Sequence, residues 1–186
     1  MSEELEVLKL VTARLNQAGI PYMISGSVAA NYYTIPRMTR DIDMVIELKQ
    51  CDVDKFVGLF EGDFYVDRET VAKEVSQQGM FNLIHNQYVI KIDCVIKKSS
   101  PYQQAEFSRR THVVIEQSPM WFVSPEDLVI SKLIWAKDSH SEMQLKDVAN
   151  LIKTVDSLNM EYIHHWIQEL GLGQIFKEAG DARHTF

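Results

Sequence analysis

The run from Arg40 to Ile46, which reads RDIDMVI, is predicted to form a β-strand with two aspartates near its start. Because side chains two positions apart on a strand point to the same face, the carboxylates of Asp41 and Asp43 would converge on one point. They would repel each other there unless a cation lay between them, and a hard divalent ion such as Mg²⁺ prefers oxygen ligands. Short acidic pairs are also common in turns and on solvated edges. The meaning of this pair therefore depends on what else the chain directs to the same place.

Length, charge and cysteine content narrow the class of protein. The 186 residues suffice for one domain with a core, or for one domain with a small helical appendage. A net charge of −7 argues against a broad basic surface for nucleic acid, although local basic pairs such as Arg109–Arg110 remain. The two cysteines make neither a disulfide framework nor a metal site. The acidic start lacks a signal sequence and no apolar stretch is long enough to span a bilayer, so we expect a cytoplasmic protein.

The pattern along the chain changes near Ser124, after which it predicts helices alone. We therefore predict an α+β protein: a mixed β-sheet with helices packed on it, followed by a small helical C-terminal subdomain. The predicted divisions are residues 1–123 for the core, 124–180 for the helical subdomain and 181–186 for a polar tail. The predicted helices cover residues 3–18, 28–33, 53–60, 69–77, 126–137, 142–155 and 161–170, and the predicted strands cover residues 22–24, 40–46, 64–66, 80–85, 88–96, 112–116 and 120–123.

A third aspartate, Asp93, lies in the middle of the strand predicted over residues 88–96. Both faces of this strand are largely apolar, so it is predicted to be central and covered on both sides. Burying a carboxylate there costs several kcal/mol unless the charge is paired or bound to a metal. In one interpretation Asp93 forms a local ion pair with Lys91 at a sheet edge. In the other it lies beside Asp41 and Asp43, and the three carboxylates could hold two Mg²⁺ ions.

Gly26 and Ser27 follow the strand predicted over residues 22–24 and precede a short helix. A glycine at this point allows a tight turn and the close approach of a phosphate, and the helix N-terminus and the serine hydroxyl add hydrogen-bond donors. The alternative is a plain strand-to-helix turn with a serine cap. The sequence contains neither the dinucleotide-binding fingerprint nor the Gly-x-x-x-x-Gly-Lys phosphate loop.

Together these motifs resemble the nucleotidyltransferase superfamily, whose fold is of the polymerase-β type. The resemblance covers roughly residues 20 to 155 and implies the fold predicted above. The run from Pro36 to Asp43 is similar to that of AbiEii-toxin-like small bacterial nucleotidyltransferases. The segments that carry the resemblance are Gly26-Ser27, Asp41-Ile42-Asp43, Asp93, Ser124-Pro125-Glu126-Asp127-Leu128, Lys132-Leu133 and Lys146-Asp147-Val148.

The resemblance implies an Mg²⁺- or Mn²⁺-dependent enzyme that moves a nucleoside monophosphate from an NTP to an acceptor hydroxyl on tRNA, protein or a small molecule. It also implies a possible toxin role with an antitoxin protein as partner. The alternative is an inactive nucleotide- or partner-binding module on the same fold. The net charge of −7 disfavours extensive RNA wrapping, because neutralising phosphates requires lysine and arginine.

The implied roles fall on individual residues. Asp41 and Asp43 would be metal ligands, and Asp93 would complete the site and help to deprotonate the acceptor. Gly26 and Ser27 would hold the nucleotide phosphates, and Arg40 and Lys132 could contact them. Arg37 could contact the nucleotide or an RNA acceptor. Arginines beside a turn and lysines on a helix are also commonly solvated, and Lys146 and Asp147 are expected to face water.

Overall fold

The computed structural model describes residues 2–39 and 41–181. These residues divide into two compact units, one with the chain up to Val28 and Met38–Phe122, the other with Ala29–Arg37 and the chain from Val123 onward. Contacts therefore group residues 29–37 with the C-terminal helices, whereas the predicted division placed them in the core. The predicted polar tail lies outside the described residues except for the backbone of Asp181.

In the described residues of the first unit, seven strands form one mixed sheet. The strands are β1 (Tyr22–Ile24), β2 (Asp41–Ile46), β3 (Phe64–Tyr65), β4 (Met80–His85), β5 (Lys91–Ile96), β6 (Thr111–Ile115) and β7 (Ser118–Phe122). Their order across the sheet is β3-β4-β5-β2-β1-β7-β6. Strands β2 and β5 pair in parallel, as do β1 and β7, and the other neighbours are antiparallel. The predicted α+β class with a mixed sheet is confirmed.

The helices lie mostly where the sequence predicts them. The first unit has α1 (Glu3–Ala18), α3 (Val53–Phe60), α4 (Arg68–Gln77) and α5 (Pro101–Ser108), and the second has α6 (Pro125–Ser139), α7 (Glu142–Thr154), α8 (Met160–Glu169) and α9 (Gly173–Asp181). Helix α2 (Gly26–Tyr33) is divided between the units at Val28. Helices α5 and α9 were not predicted. The signal for α5 was present, because the Ser100-Pro101 pair that caps it is the same dipeptide that caps α6 at Ser124.

One face of the central strands forms the core of the first unit. Its side chains are almost fully buried and alternate with exposed or half-exposed residues. Phe56 of α3 packs edge-to-face on Phe81 of β4 on this side, with ring centroids 5.4 Å apart. The core residues of these three strands are Ile42, Met44 and Ile46 of β2, Phe81, Leu83 and His85 of β4, and Ile92, Cys94 and Ile96 of β5.

The prediction that the strand of Asp93 is covered on both sides is wrong. Strand β5 is central in the sheet, but Lys91 and Asp93 lie on its half-exposed face, where their side chains are 37% and 15% exposed. The strand also begins at Lys91 rather than at residue 88, because Val89 has a φ of 54° and cannot continue an extended strand. Uncharged neighbours made both faces look apolar, but the charged residues all fall on one of them.

The helix ends show which capping predictions hold. The Ser2 side chain accepts a hydrogen bond from Leu5 N, and Gly19 ends α1 with a φ of 68°, as predicted. The predicted cap by Asp52 is wrong: a 3-10 turn over Gln50–Asp52 precedes α3, and the Asp52 side chain makes no capping hydrogen bond. In the described parts of the chain, no helix is long and apolar enough to cross a membrane.

Candidate active site

Strands β2 and β5 bring the three predicted carboxylates to one face of the sheet. They run in parallel with Asp43 opposite Asp93 and Asp41 opposite Lys91, so these side chains project to the same side. The Asp41 side chain is 55% exposed and that of Asp93 is 15% exposed. We call Asp41, Asp43 and Asp93 the carboxylate cluster. Asp93 therefore lies beside Asp41 and Asp43, as the second of the two interpretations of the sequence predicted. The chemical roles of the three residues stay predictions.

Lys91 places its ammonium group among these carboxylates. Its Nζ lies 3.0 Å from Asp93 Oδ2 and 3.7 Å from Asp41 Oδ2. The hydrogen bond to Asp93 raises the pKa of Lys91, and the negative charges of the whole cluster reinforce this effect against partial desolvation, which lowers the pKa. The Lys91–Asp93 pair that the sequence left open thus forms, but inside the sheet rather than at its edge, because β5 lies between β4 and β2.

The second oxygen of Asp93, Oδ1, has a donor of its own in Asn82. This residue lies opposite Asp93 on β4. With its amide oriented so that the nitrogen faces the carboxylate, Asn82 Nδ2 donates to Asp93 Oδ1 at 2.7 Å. Two donors on rigid strands therefore fix the orientation of the Asp93 carboxylate. Asn82 was not among the predicted site residues, because its only signal in the sequence is its position in the hairpin that joins β4 to β5.

Gly26 lies directly against the Asp43 carboxylate. A Cβ built on Gly26 would lie 1.9 Å from Asp43 Oδ2 and 2.7 Å from Asp43 Cβ, and Gly26 has a φ of 60°. Both the backbone conformation and the close approach therefore require glycine. The preceding residue, Ser25, donates its backbone N–H to the Asp43 carbonyl oxygen at 2.9 Å. Helix α2 begins at Gly26, two residues earlier than predicted, so Ser27 lies in its first turn. The phosphate-binding roles of Gly26 and Ser27 stay predictions.

The chemistry of these side chains fits a hard divalent ion. Carboxylate oxygens are the ligands that Mg²⁺ and Mn²⁺ take in proteins. Within residues 2–39 and 41–181, no three His, Cys, Asp or Glu side chains are already arranged to hold one ion. A monovalent cation, the ammonium group of Lys91, instead contacts both Asp41 and Asp93. An ion that used Oδ2 of Asp41 and Oδ2 of Asp93 would have to take the place of that group.

In the second unit, Asp147 forms a buried ion-pair network. Lys132 Nζ donates to Asp147 Oδ2 at 2.8 Å and to Gln144 Oε1 at 2.9 Å, and Arg37 Nη2 donates to Asp147 Oδ2 at 3.0 Å. The side chains of Lys132 and Asp147 are only 3% and 8% exposed. Burial alone would raise the pKa of Asp147, but the hydrogen bonds from Arg37 and Lys132 outweigh it and hold the pKa below its usual range.

Asp147 and Lys132 have surroundings in this network that the sequence did not predict. The expectation that Asp147 faces water is wrong, because Lys132 and Arg37, both distant in sequence, neutralise it in the interior. The phosphate contact predicted for Lys132 stays a prediction, and in this structure the ammonium group is bound to Asp147. Arg40, the other predicted phosphate contact, lies outside the described residues.

Cys94 behaves as a buried apolar residue, as the sequence indicated. Its side chain is 1% exposed in the core of the first unit, on the face opposite the carboxylate cluster. Burial raises the pKa of its thiol, and the negative charge of Asp93 adds to this. A thiol that stays protonated is neither a nucleophile nor a metal ligand.

Comparison with known proteins identifies the family. A family model described as "Nucleotidyltransferase of unknown function (DUF6036)" matches residues 3–177. The chain belongs to this family. The superfamily inferred from the sequence motifs is confirmed, while the AbiEii-like subtype stays a prediction. Among curated protein sequences, none matches the chain significantly.

Solved structures of nucleotidyltransferase-like proteins share the fold at low sequence identity. An antigenic nucleotidyltransferase-like protein from Paracoccidioides brasiliensis is 18% identical, with a TM-score of 0.58, over 92% of this chain and 91% of that one. The antibiotic-resistance factor ANT(2'')-Ia is 14% identical, with a TM-score of 0.61, over 96% of both chains. The lincosamide antibiotic adenylyltransferase LnuA, solved with lincomycin bound, is 14% identical, with a TM-score of 0.51, over 83% of this chain and 99% of that one.

Proposed function

We propose that this family member is an active nucleotidyltransferase, which moves a nucleoside monophosphate from an NTP to an acceptor hydroxyl and requires Mg²⁺ or Mn²⁺. The observation that carries the proposal is the parallel register of β2 and β5, which sets Asp43 opposite Asp93 with Asp41 on the same face. Three carboxylates on one face of the sheet repel each other without a cation, and binding a metal ion gives a reason for placing them together.

Each residue of the carboxylate cluster has a task in this proposal. Asp41 and Asp43 hold the divalent ion, which when bound neutralises phosphate charge and makes the acceptor hydroxyl easier to deprotonate. Asp93, oriented by Asn82, completes the site and takes part in removing the proton from the acceptor hydroxyl. Its half-buried position keeps bulk water away from one side of the carboxylate.

The turn between β1 and α2 receives the nucleotide phosphates in this proposal. The backbone of Gly26 allows a close approach, and the first turn of α2, with the Ser27 hydroxyl, supplies donors at the positive end of the helix dipole. Arg40 is the proposed additional phosphate contact.

We propose a hydroxyl of a small molecule as the acceptor. Two of the solved structures with this fold are those of an antibiotic-resistance factor and of an adenylyltransferase of lincosamide antibiotics, and the net charge of −7 disfavours a long RNA interface. Transfer to tRNA or protein, a toxin role and an antitoxin partner are separate predictions from the AbiEii-like resemblance. The experiment below tests transfer to tRNA and to protein as well.

Incubation of the purified protein with each α-³²P-labelled NTP and a cell extract tests the proposal. We expect a labelled small molecule distinct from the NTP and its hydrolysis products. Its formation should depend on Mg²⁺ or Mn²⁺ and should be lost in Asp43→Asn. Asp54→Asn is the matched control, because Asp54 forms only an exposed ion pair with Arg68 on the same unit. Label in RNA or in protein would show that the acceptor is that macromolecule rather than a small molecule. No label in any fraction, with Mg²⁺–ATP still bound, would refute transfer and favour the inactive binding module.

A further inference from the structure

We propose that Lys91 is the resident cation of the carboxylate cluster, and that a divalent ion binds there only by displacing its ammonium group. The inference deepens the proposed function and rests on it, because it concerns the same carboxylates. It assigns to Lys91 a positioning and gating task that the motif residues Asp41, Asp43 and Asp93 do not have.

The charges on this face of the sheet are partly balanced by Lys91. Three carboxylates lie on β2 and β5, and the Lys91 ammonium group touches two of them, at 3.0 Å and 3.7 Å. One positive charge removes part of their mutual repulsion, so the cluster can persist without a metal ion. The cluster therefore has a cation of its own before any metal ion binds.

The ammonium group of Lys91 occupies particular carboxylate oxygens of the cluster. Lys91 contacts Oδ2 of Asp93 and Oδ2 of Asp41, which belong to the two carboxylates at the ends of the cluster. A divalent ion that uses either oxygen competes with the ammonium group for it. The measured free energy of binding the ion is therefore less favourable than the intrinsic value, by the free energy needed to release Lys91.

Asn82 makes this displacement possible without loss of order at Asp93. Its amide, on the neighbouring strand β4, donates to Oδ1 of Asp93 at 2.7 Å, whereas Lys91 contacts Oδ2. The Lys91 side chain is 37% exposed and has a long flexible stem, so it can turn towards solvent. When the ammonium group leaves, one carboxylate oxygen becomes available and the other stays fixed.

Titration of the purified protein with Mn²⁺ by electron paramagnetic resonance, without nucleotide, measures the competition directly. Lys91→Met keeps the length of the side chain and removes the charge, and we expect it to bind Mn²⁺ about tenfold more tightly than the wild type, because two half-exposed ion pairs no longer oppose binding. Lys97→Met is the control, since Lys97 pairs with Glu47 outside the cluster, at 2.9 Å. Its affinity should equal that of the wild type.

A second measurement uses the wild-type protein, so that it does not depend on the folding of a variant. Brief acetylation followed by mass spectrometry should label Lys91 several-fold more at saturating Mg²⁺ than in EDTA, while labelling of Lys97 stays constant. Unchanged labelling of Lys91, or Mn²⁺ binding to Lys91→Met that is equal to or weaker than that of the wild type, would overturn the inference alone. If no form of the protein binds a divalent ion, with or without ATP, the proposed function fails and the inference fails with it.

Discussion

Replacing Gly26 with alanine tests the contact between the β1–α2 turn and the carboxylate cluster. The φ of 60° at this position costs a non-glycine residue about 1–2 kcal/mol. The new Cβ would also lie 2.7 Å from Asp43 Cβ, an atom fixed to the backbone of β2, so rotating the Asp43 side chain cannot relieve the overlap. Overpacking of this kind typically costs a further ~1–3 kcal/mol. We therefore expect Gly26→Ala to lower the free energy of unfolding by about 2–5 kcal/mol.

Gly19→Ala is the matched control for this substitution. Gly19 has a φ of 68°, but apart from its chain neighbours no heavy atom of the described residues lies within 4 Å of the position that an alanine Cβ would take there. The variant therefore carries the backbone strain without the overlap. Urea denaturation of both variants, together with Asp43→Gly and the double variant, gives the coupling between positions 26 and 43. We expect a coupling of about 1–3 kcal/mol. A Gly26→Ala variant no less stable than Gly19→Ala would refute the close contact with Asp43.

Three further predictions concern the ion-pair network and the thiols. Asp147→Asn should lower the free energy of unfolding by about 3–5 kcal/mol, because it leaves the Lys132 ammonium group buried without its anion, whereas Asp138→Asn on an exposed position of α6 should change it by less than about 0.5 kcal/mol. The pKa of Asp147 is lower in the folded protein than in the unfolded chain, so its ionised carboxylate stabilises the fold fully above the unfolded pKa of about 3.9. This stabilisation disappears as the pH falls through the folded pKa. In acid denaturation experiments, the stability difference between wild type and Asp147→Asn should therefore shrink below about pH 4. Ellman's reagent should titrate one thiol per native chain, the exposed Cys51, and the second, Cys94, only after unfolding; two fast thiols in the native protein would contradict its burial.

The sequence was enough to predict both strands and to set Asp41 and Asp43 on one face of β2, but it did not show that Asp93 lies on a half-exposed face of β5. Their side-by-side pairing had to be offered as one of two interpretations, because α3, β3, α4 and β4 separate them in the chain. Nothing in the local sequence of either strand reports on a partner so far away. The family resemblance, rather than any local pattern, supplied the preference for a common site.

Asn82 shows why a correct hairpin prediction still missed a site residue. A two-residue turn at Asn86–Gln87 would set Asn82 opposite Lys91. The observed turn is longer and includes Val89 with a φ of 54°, so Asn82 lies opposite Asp93 instead. Side-chain register is therefore sensitive to a backbone conformation that a valine rarely adopts. The Arg37–Asp147 pair was missed for another reason, since 110 positions separate its members.

The parallel pairing of β2 with β5 also bears on when the cluster forms during folding. Asp43 and Asp93 are about fifty residues apart, whereas β4 and β5 join through a short turn. Closing the longer loop carries the larger entropic cost, so we expect the β4–β5 hairpin, with Lys91, Asp93 and Asn82 already in contact, to be present before β2 docks beside it. The acidic strand then arrives at a partner whose ammonium group is in place to receive it. A cation from within the chain thus reduces the electrostatic repulsion that opposes the pairing of β2 with β5.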